Sequence, residues 1–221
     1  MTYLSFVKYE CLALYRNKQN LFNALLFFVM VSLLFPLGVS SEEAFLAPAA
    51  GGIIWCATLL AVLMVVDGLF KNDFHDGGIE QLAVSGLSFA WLMLLKVMIH
   101  WLATIGPLLL ITPLLGYMLF LPTDSLVVVL LSLLFGSPSL FLIGSIVAGL
   151  TLTLRQSALL MLVLILPFYL PVLVFATGAI KAQQAGLDPS APLAILLAIF
   201  FLSLAISPLL TAISLRASLA S

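Results

Sequence analysis

Long apolar runs separated by short polar breaks make up most of this chain. A helix that crosses a bilayer needs roughly 20 mostly apolar residues. Six segments meet that length: 21–41, 48–68, 90–119, 126–152, 157–180 and 192–215. The breaks fall where charges or turn residues gather. Ser40, Ser41, Glu42 and Glu43 follow the first run, and Leu121-Pro122-Thr123-Asp124-Ser125 the third. Arg155-Gln156 follow the fourth, and Lys181 through Pro192 the fifth. The pattern predicts an all-α membrane protein with six transmembrane helices, organised as one domain over 1–221 with no internal repeat.

Two stretches depart from it. In residues 2–18, Leu4, Val7, Cys11 and Leu14 recur at intervals of three and four, with Tyr15 beside them. Ser5, Glu10 and Arg16 point elsewhere on a helical wheel. This fits an amphipathic helix in the inner membrane face. It is either a simple interfacial anchor or an elbow helix that also touches a cytoplasmic partner. The run from Leu21 to Val39 is longer than a signal-peptide core, so a retained first span is expected.

The second departure is LFKNDFHDGGIEQLAVSGLS, residues 69–88. Placing Asp73, Asp76 and Glu80 at the bilayer centre would cost on the order of 8–10 kcal/mol, so the stretch is aqueous. Asp76-Gly77-Gly78 reads as a turn or helix start, and Glu80 then favours the dipole of the first turn. Ile79, Leu82 and Ala83 form a short apolar face, Ser85-Gly86 stops the helix, and Ser88 can cap the third span. The prediction is a helix of about two turns between spans 2 and 3. A plain solvated connector is the simpler alternative. Asp67, at the end of span 2, is either a fixing point for that helix or an ordinary interfacial carboxylate.

Composition narrows the solvent and the chemistry. Hydrophobic residues make up 64% and charged residues 8%, against about 25% charged in soluble domains, so lipid must cover the surface. A net charge of −1 gives no argument for nucleic acid. Cys11 and Cys56 have no metal or redox spacing and read as small hydrophobes. Lys8, Arg16, Lys18, Lys71, Arg155 and Arg216 fall on one side of the spans, and Lys96 can snorkel to it. Lys181 is alone on the other, beside Glu42, Glu43, Asp124 and Asp188. The excess of Lys and Arg places both termini and residues 69–88 in the cytoplasm.

No G-x-x-x-x-G-K-[ST] phosphate cradle occurs, so any ATP is bound by another polypeptide. Of the two histidines, His75 lies in the polar stretch. His100 follows Lys96 by one turn in span 3, which makes the two a candidate intramembrane pair; a histidine bonded to a neighbouring helix is the simpler reading. Pro107, Pro113, Pro138, Pro167, Pro171 and Pro208 interrupt spans 3 to 6 as hinges or as static kinks. Gly144, Ser145, Ala148 and Gly149 allow close helix contact in span 4.

The run FKNDFHDGGIEQLAVSGLS followed by LLKVMIHW resembles the cytochrome c maturation protein B family, also called haem exporter protein B. That family supplies the membrane subunit of an ABC-type complex in bacterial cytochrome c assembly. APAAGGIIWCATLLAVLMVVDGLF and LPFYLPVLVFATGAI are similar to its second and fifth spans, so the resemblance covers essentially the whole chain. More distantly, the Glu-Gln-Leu run after Gly resembles the coupling helix of ABC-2 type permeases. The resemblance implies a non-catalytic permease subunit in the bacterial inner membrane, whose coupling helix docks on a cytoplasmic ATPase subunit. Asp73, Asp76 and Glu80 would serve charge pairing, Gly77 the tight turn, and Gln81 and Leu82 the buried contact. It implies haem as the ligand of the complex, with no haem-ligating residue assigned in this chain. The partners would be the other maturation subunits and a periplasmic haem chaperone, with two copies of this chain expected. A gradient-driven secondary transporter and a passive membrane scaffold remain the alternatives at this point.

Overall fold

The computed structural model describes residues 2–16, 18–153 and 157–219, with 157–159 in backbone only. The expected break at Arg155-Gln156 lies outside the described residues, as does the cation counted there. Among the described residues the chain is helical, without strands: α1 (Tyr3–Arg16), α2 (Lys18–Gly38), α3 (Glu43–Asp67), α4 (Lys71–His75), α5 (Gly78–Ala83), α6 (Phe89–Met118), α7 (Thr123–Thr151), α8 (Ser157–Gln184) and α9 (Ser190–Leu219). Six of these, α2, α3, α6, α7, α8 and α9, are long and apolar enough to cross a membrane. The chain is a multi-pass membrane protein.

Several helices run past the apolar limits expected from the sequence. α3 starts at Glu43 rather than at residue 48, and α8 continues to Gln184. The added turns are held by polar contacts that hydropathy does not count. The Gln184 side-chain amide, for example, donates to the Ala47 carbonyl at 3.1 Å. At the start of α9, Asp188 accepts from both the amide and the hydroxyl of Ser190, which holds its carboxyl below the ordinary value. The prolines at 107, 113, 138, 167, 171 and 208 all lie inside continuous helices.

α7 is the centre of the bundle and packs against α3, α6, α8 and α9. Its glycines and serines leave room for large side chains from its neighbours. Trp55 Nε1 of α3 donates to Ser132 Oγ at 2.9 Å, and Trp101 Nε1 of α6 donates to Ser137 Oγ at 2.9 Å. The Tyr169 hydroxyl of α8 donates to the Leu140 carbonyl at 2.6 Å. A Cβ on Gly144 would lie 2.5 Å from the Tyr169 oxygen and 2.7 Å from Val66 Cγ1, so only glycine fits that crossing. Between α7 and α9 runs a seam of hydroxyls. Ser207 donates to the Leu142 carbonyl at 2.7 Å, Ser218 to the Gly149 carbonyl at 2.8 Å, and Ser145 and Thr211 meet at 2.9 Å.

α4 and α5 sit at one end of this bundle, beside the ends of α7 and α9. Phe74 and Glu80 share a shallow depression with Thr153, Ser218 and Leu219. Nearby, the Arg216 guanidinium stands 5.6 Å from the ring of Phe89 at the start of α6. α1 packs along α6 at this same end.

Candidate functional site

The polar stretch folds as two short helices rather than one. α4 carries Lys71–His75 and α5 carries Gly78–Ala83. The joint is Asp76-Gly77, where Gly77 has φ of 69°, a left-handed conformation that costs glycine little. The inner side of the stretch is anchored in the bundle: Leu69, Phe70 and Ile79 are buried, and Phe74, Leu82 and Ala83 are half-buried against the same core. Leu82, which the resemblance gave to a partner contact, is thus partly covered by its own chain. Asp76, Glu80, Gln81 and Val84 are exposed. Asp76 precedes the Gly77 turn, and Glu80, Gln81 and Val84 follow it along α5 and its C-terminal end. Val84 is 84% exposed at the C-terminal end of this otherwise polar strip. It is the apolar member of this face that the sequence reading did not single out.

Asp73 points the other way. Its Oδ2 lies 2.6 Å from Lys96 Nζ, and Glu10 Oε1 of α1 lies 2.7 Å from the same nitrogen. Lys96 is 4% and Glu10 2% exposed, while the Asp73 side chain is 24% exposed. The lysine does not snorkel to the surface; two carboxylates meet it inside. Burial pushes the Glu10 carboxyl above the ordinary carboxylate value, and the Lys96 ammonium pulls against that shift. Close by, Lys71 Nζ pairs with Asp67 Oδ2 at 2.6 Å across one helical turn, where both groups are about one-third exposed. Asp67 thus ties the end of α3 to the start of α4.

Lys96 and His100 share a face of α6, but their side chains do not pair. His100 Nδ1 lies 2.9 Å from the Lys96 carbonyl oxygen. A carbonyl only accepts, so Nδ1 carries the proton. Both residues border a cavity of about 220 Å³ beside the ion cluster, with Asn20, Asn72 and Asp76 also on its wall.

α1 presents a different inner face from the one its apolar spacing suggested. Phe6 and Glu10 are buried and Leu14 is half-buried, whereas Leu4 and Cys11 are exposed. The ion pair with Lys96 rotates the helix so that a carboxylate, not the leucine stripe, meets the bundle. Glu10 was legible only indirectly: a lysine inside an apolar span requires a counter-charge, and this chain has few acids to supply one.

Residues 1–218 match the sequence model of the CcmB protein family. The chain belongs to the CcmB family. Among its relatives, the heme exporter protein B of Pseudomonas aeruginosa is 43% identical over 209 residues, covering 95% of this chain and 94% of the relative. The Haemophilus influenzae protein of the same name is 36% identical over 219 residues, 99% of each chain. That of Escherichia coli K12 is 37% identical over 219 residues, 99% of this chain and all of the relative. The likeness to CcmB proteins thus extends over α1, the polar stretch and all six spans together.

Proposed function

We propose that this chain is the membrane subunit of an ATP-driven complex for cytochrome c maturation, with residues 69–88 as the lever on which a separate ATPase subunit acts. The observation that carries this reading is the two-sidedness of the stretch. One side is buried in the bundle through Phe70, Ile79 and the Asp73–Lys96 ion pair, and the other offers Asp76, Glu80, Gln81 and Val84 outward. An exposed strip that combines two carboxylates with one apolar side chain suits docking into a groove with basic walls. Load applied there passes to α3 through Asp67–Lys71 and to α6 through Asp73–Lys96.

In this reading residues 1–221 form one permease domain in the bacterial inner membrane, with both termini and the lever in the cytoplasm. The described cations at the lever end, Lys8, Arg16, Lys18, Lys71, Lys96 and Arg216, against Lys181 at the other, support that orientation. The ATPase carries the nucleotide chemistry, and two copies of the permease fit a dimeric motor. The relatives' name, heme exporter protein B, points to haem as the substrate of the assembly. In this chain His75 stands on the exposed side of α4, and His100 is engaged with a backbone carbonyl. The anchoring of the stretch in the bundle through Phe70, Ile79 and the Asp73–Lys96 pair favours a force-transmitting role: ATP energy remodels the assembly so that the haem-loaded periplasmic chaperone leaves its docking subunit. The commitment of Lys96 to two carboxylates favours the same role over a gradient-driven ion cycle.

Co-purification tests the lever. The ATPase subunit is expected to accompany the intact chain and to be lost from the Asp76→Lys/Glu80→Lys variant. Unchanged capture by that variant rules the lever out. A hydrolysis-deficient ATPase that still supports holocytochrome c formation would reduce the chain to a scaffold.

A further inference from the structure

Three elements distant in sequence converge on one ammonium group: Glu10 from α1, Asp73 from α4 and Lys96 from α6. We infer that Glu10 is a positioning residue, which through Lys96 fastens α1 to the lever so that α1, α4 and the first turns of α6 move as one body. The inference rests on the reading of residues 69–88 as a lever.

The lever needs such a fixture. α4 has five residues and α5 has six, too short to be rigid without tertiary support. Left-handed glycines stand between them at Gly77 and after them at Gly86. A push on the outer strip would be absorbed at Gly77 unless α4 is held in place. α1 meets the chain on both sides of this weak segment. Upstream, Glu10 reaches Asp73 through the shared lysine. Downstream, the Tyr3 hydroxyl oxygen accepts from the Ser88 amide at 3.4 Å. α1 is therefore a brace across the two ends of the lever. Charge supports the same conclusion. Asp73 alone would neutralise Lys96, and a second buried carboxylate adds desolvation cost without further charge balance. What Glu10 adds is a mechanical link to a third element.

The test uses the full chain in nanodiscs with its ATPase partner. Replacing all three ions together (Glu10→Gln, Asp73→Asn, Lys96→Met) leaves no unpaired buried charge, so the variant is expected to fold. The ATPase should still co-purify, because the outer strip is unaltered, but holocytochrome c output should fall about tenfold, within the usual range of coupling between sites. Output at the parental level would show the cluster to be merely structural and would overturn the inference. A second readout needs no partner. Spin labels at Lys8→Cys and His75→Cys, with Cys11 and Cys56 replaced by Ser, should give one narrow distance in the parent and a broad one in the triple variant. In the complex, the parental distance should stay fixed through ATP turnover. A broad parental distance, or one that changes during turnover, sinks the brace. Failure of the ATPase to bind even the parent would remove the lever reading, and the partner-free distance would still decide whether α1 and α4 are joined.

Discussion

Between α7 and α9 the buried polar groups are hydroxyls; where α1, α4 and α6 meet they are ions. The hydroxyl seam is largely self-sufficient, since Ser145 and Ser207 both donate to the Leu142 carbonyl and Ser218 to that of Gly149. Such groups hold two helices in contact at little cost if one is lost, about 1 kcal/mol per neutral hydrogen bond. The ion cluster is built the opposite way. Its members come from positions 10, 73 and 96, and removing the lysine leaves two carboxylates behind without their counter-ion. Neutral contacts suit surfaces that stay packed. Charged contacts drawn from separate elements make those elements depend on one another.

The comparison sharpens first at Lys96. Lys96→Met leaves Glu10 and Asp73 without their counter-ion and should lower stability by about 3–5 kcal/mol, read as a drop in the apparent unfolding midpoint in detergent. Lys96→Arg should recover most of that loss; a Met variant as stable as the parent would mean that the cluster is not an ion pair in solution. Gly144→Val probes the neutral core. Its added carbons meet Tyr169 and Val66 at distances already too short for a Cβ, so overpacking should cost about 1–3 kcal/mol while the ATPase still binds. Tyr169→Phe is the mildest change. It removes one hydrogen bond to Leu140 and should cost about 1 kcal/mol, with holocytochrome c formation unchanged. A larger loss there than at Lys96 would invert the ranking of neutral and charged contacts.

The six spans were legible because hydropathy responds to apolar surroundings of either kind, lipid or, for most of α3 and α7, the interior of the bundle. The turn at Gly77 was legible because its chemistry is local. What escaped was set by long-range packing. Glu10 belongs to the polar side of α1 by spacing, yet it is buried because Lys96, 86 positions later, needs it. Asp73 looked like a partner-facing acid until α6 was placed beside it. Leu82 formed an apolar face with Ile79 in sequence, but that face closes on the chain's own core, and Val84 is left outside instead. Lys96 and His100 were rightly put on one side of a helix. Spacing could not show that the histidine binds the backbone and the lysine binds two distant carboxylates.

The order of synthesis gives the ion cluster a further consequence. Glu10 and Asp73 are both translated before Lys96, so the nascent chain already holds two anions when α6 is threaded into the bilayer. A lysine entering hydrocarbon alone faces a penalty, about 2.5–3.5 kcal/mol at the bilayer centre on insertion scales and less toward a helix end. Here its counter-ions are waiting, and biogenesis of the third span is eased by residues that the ribosome has already released.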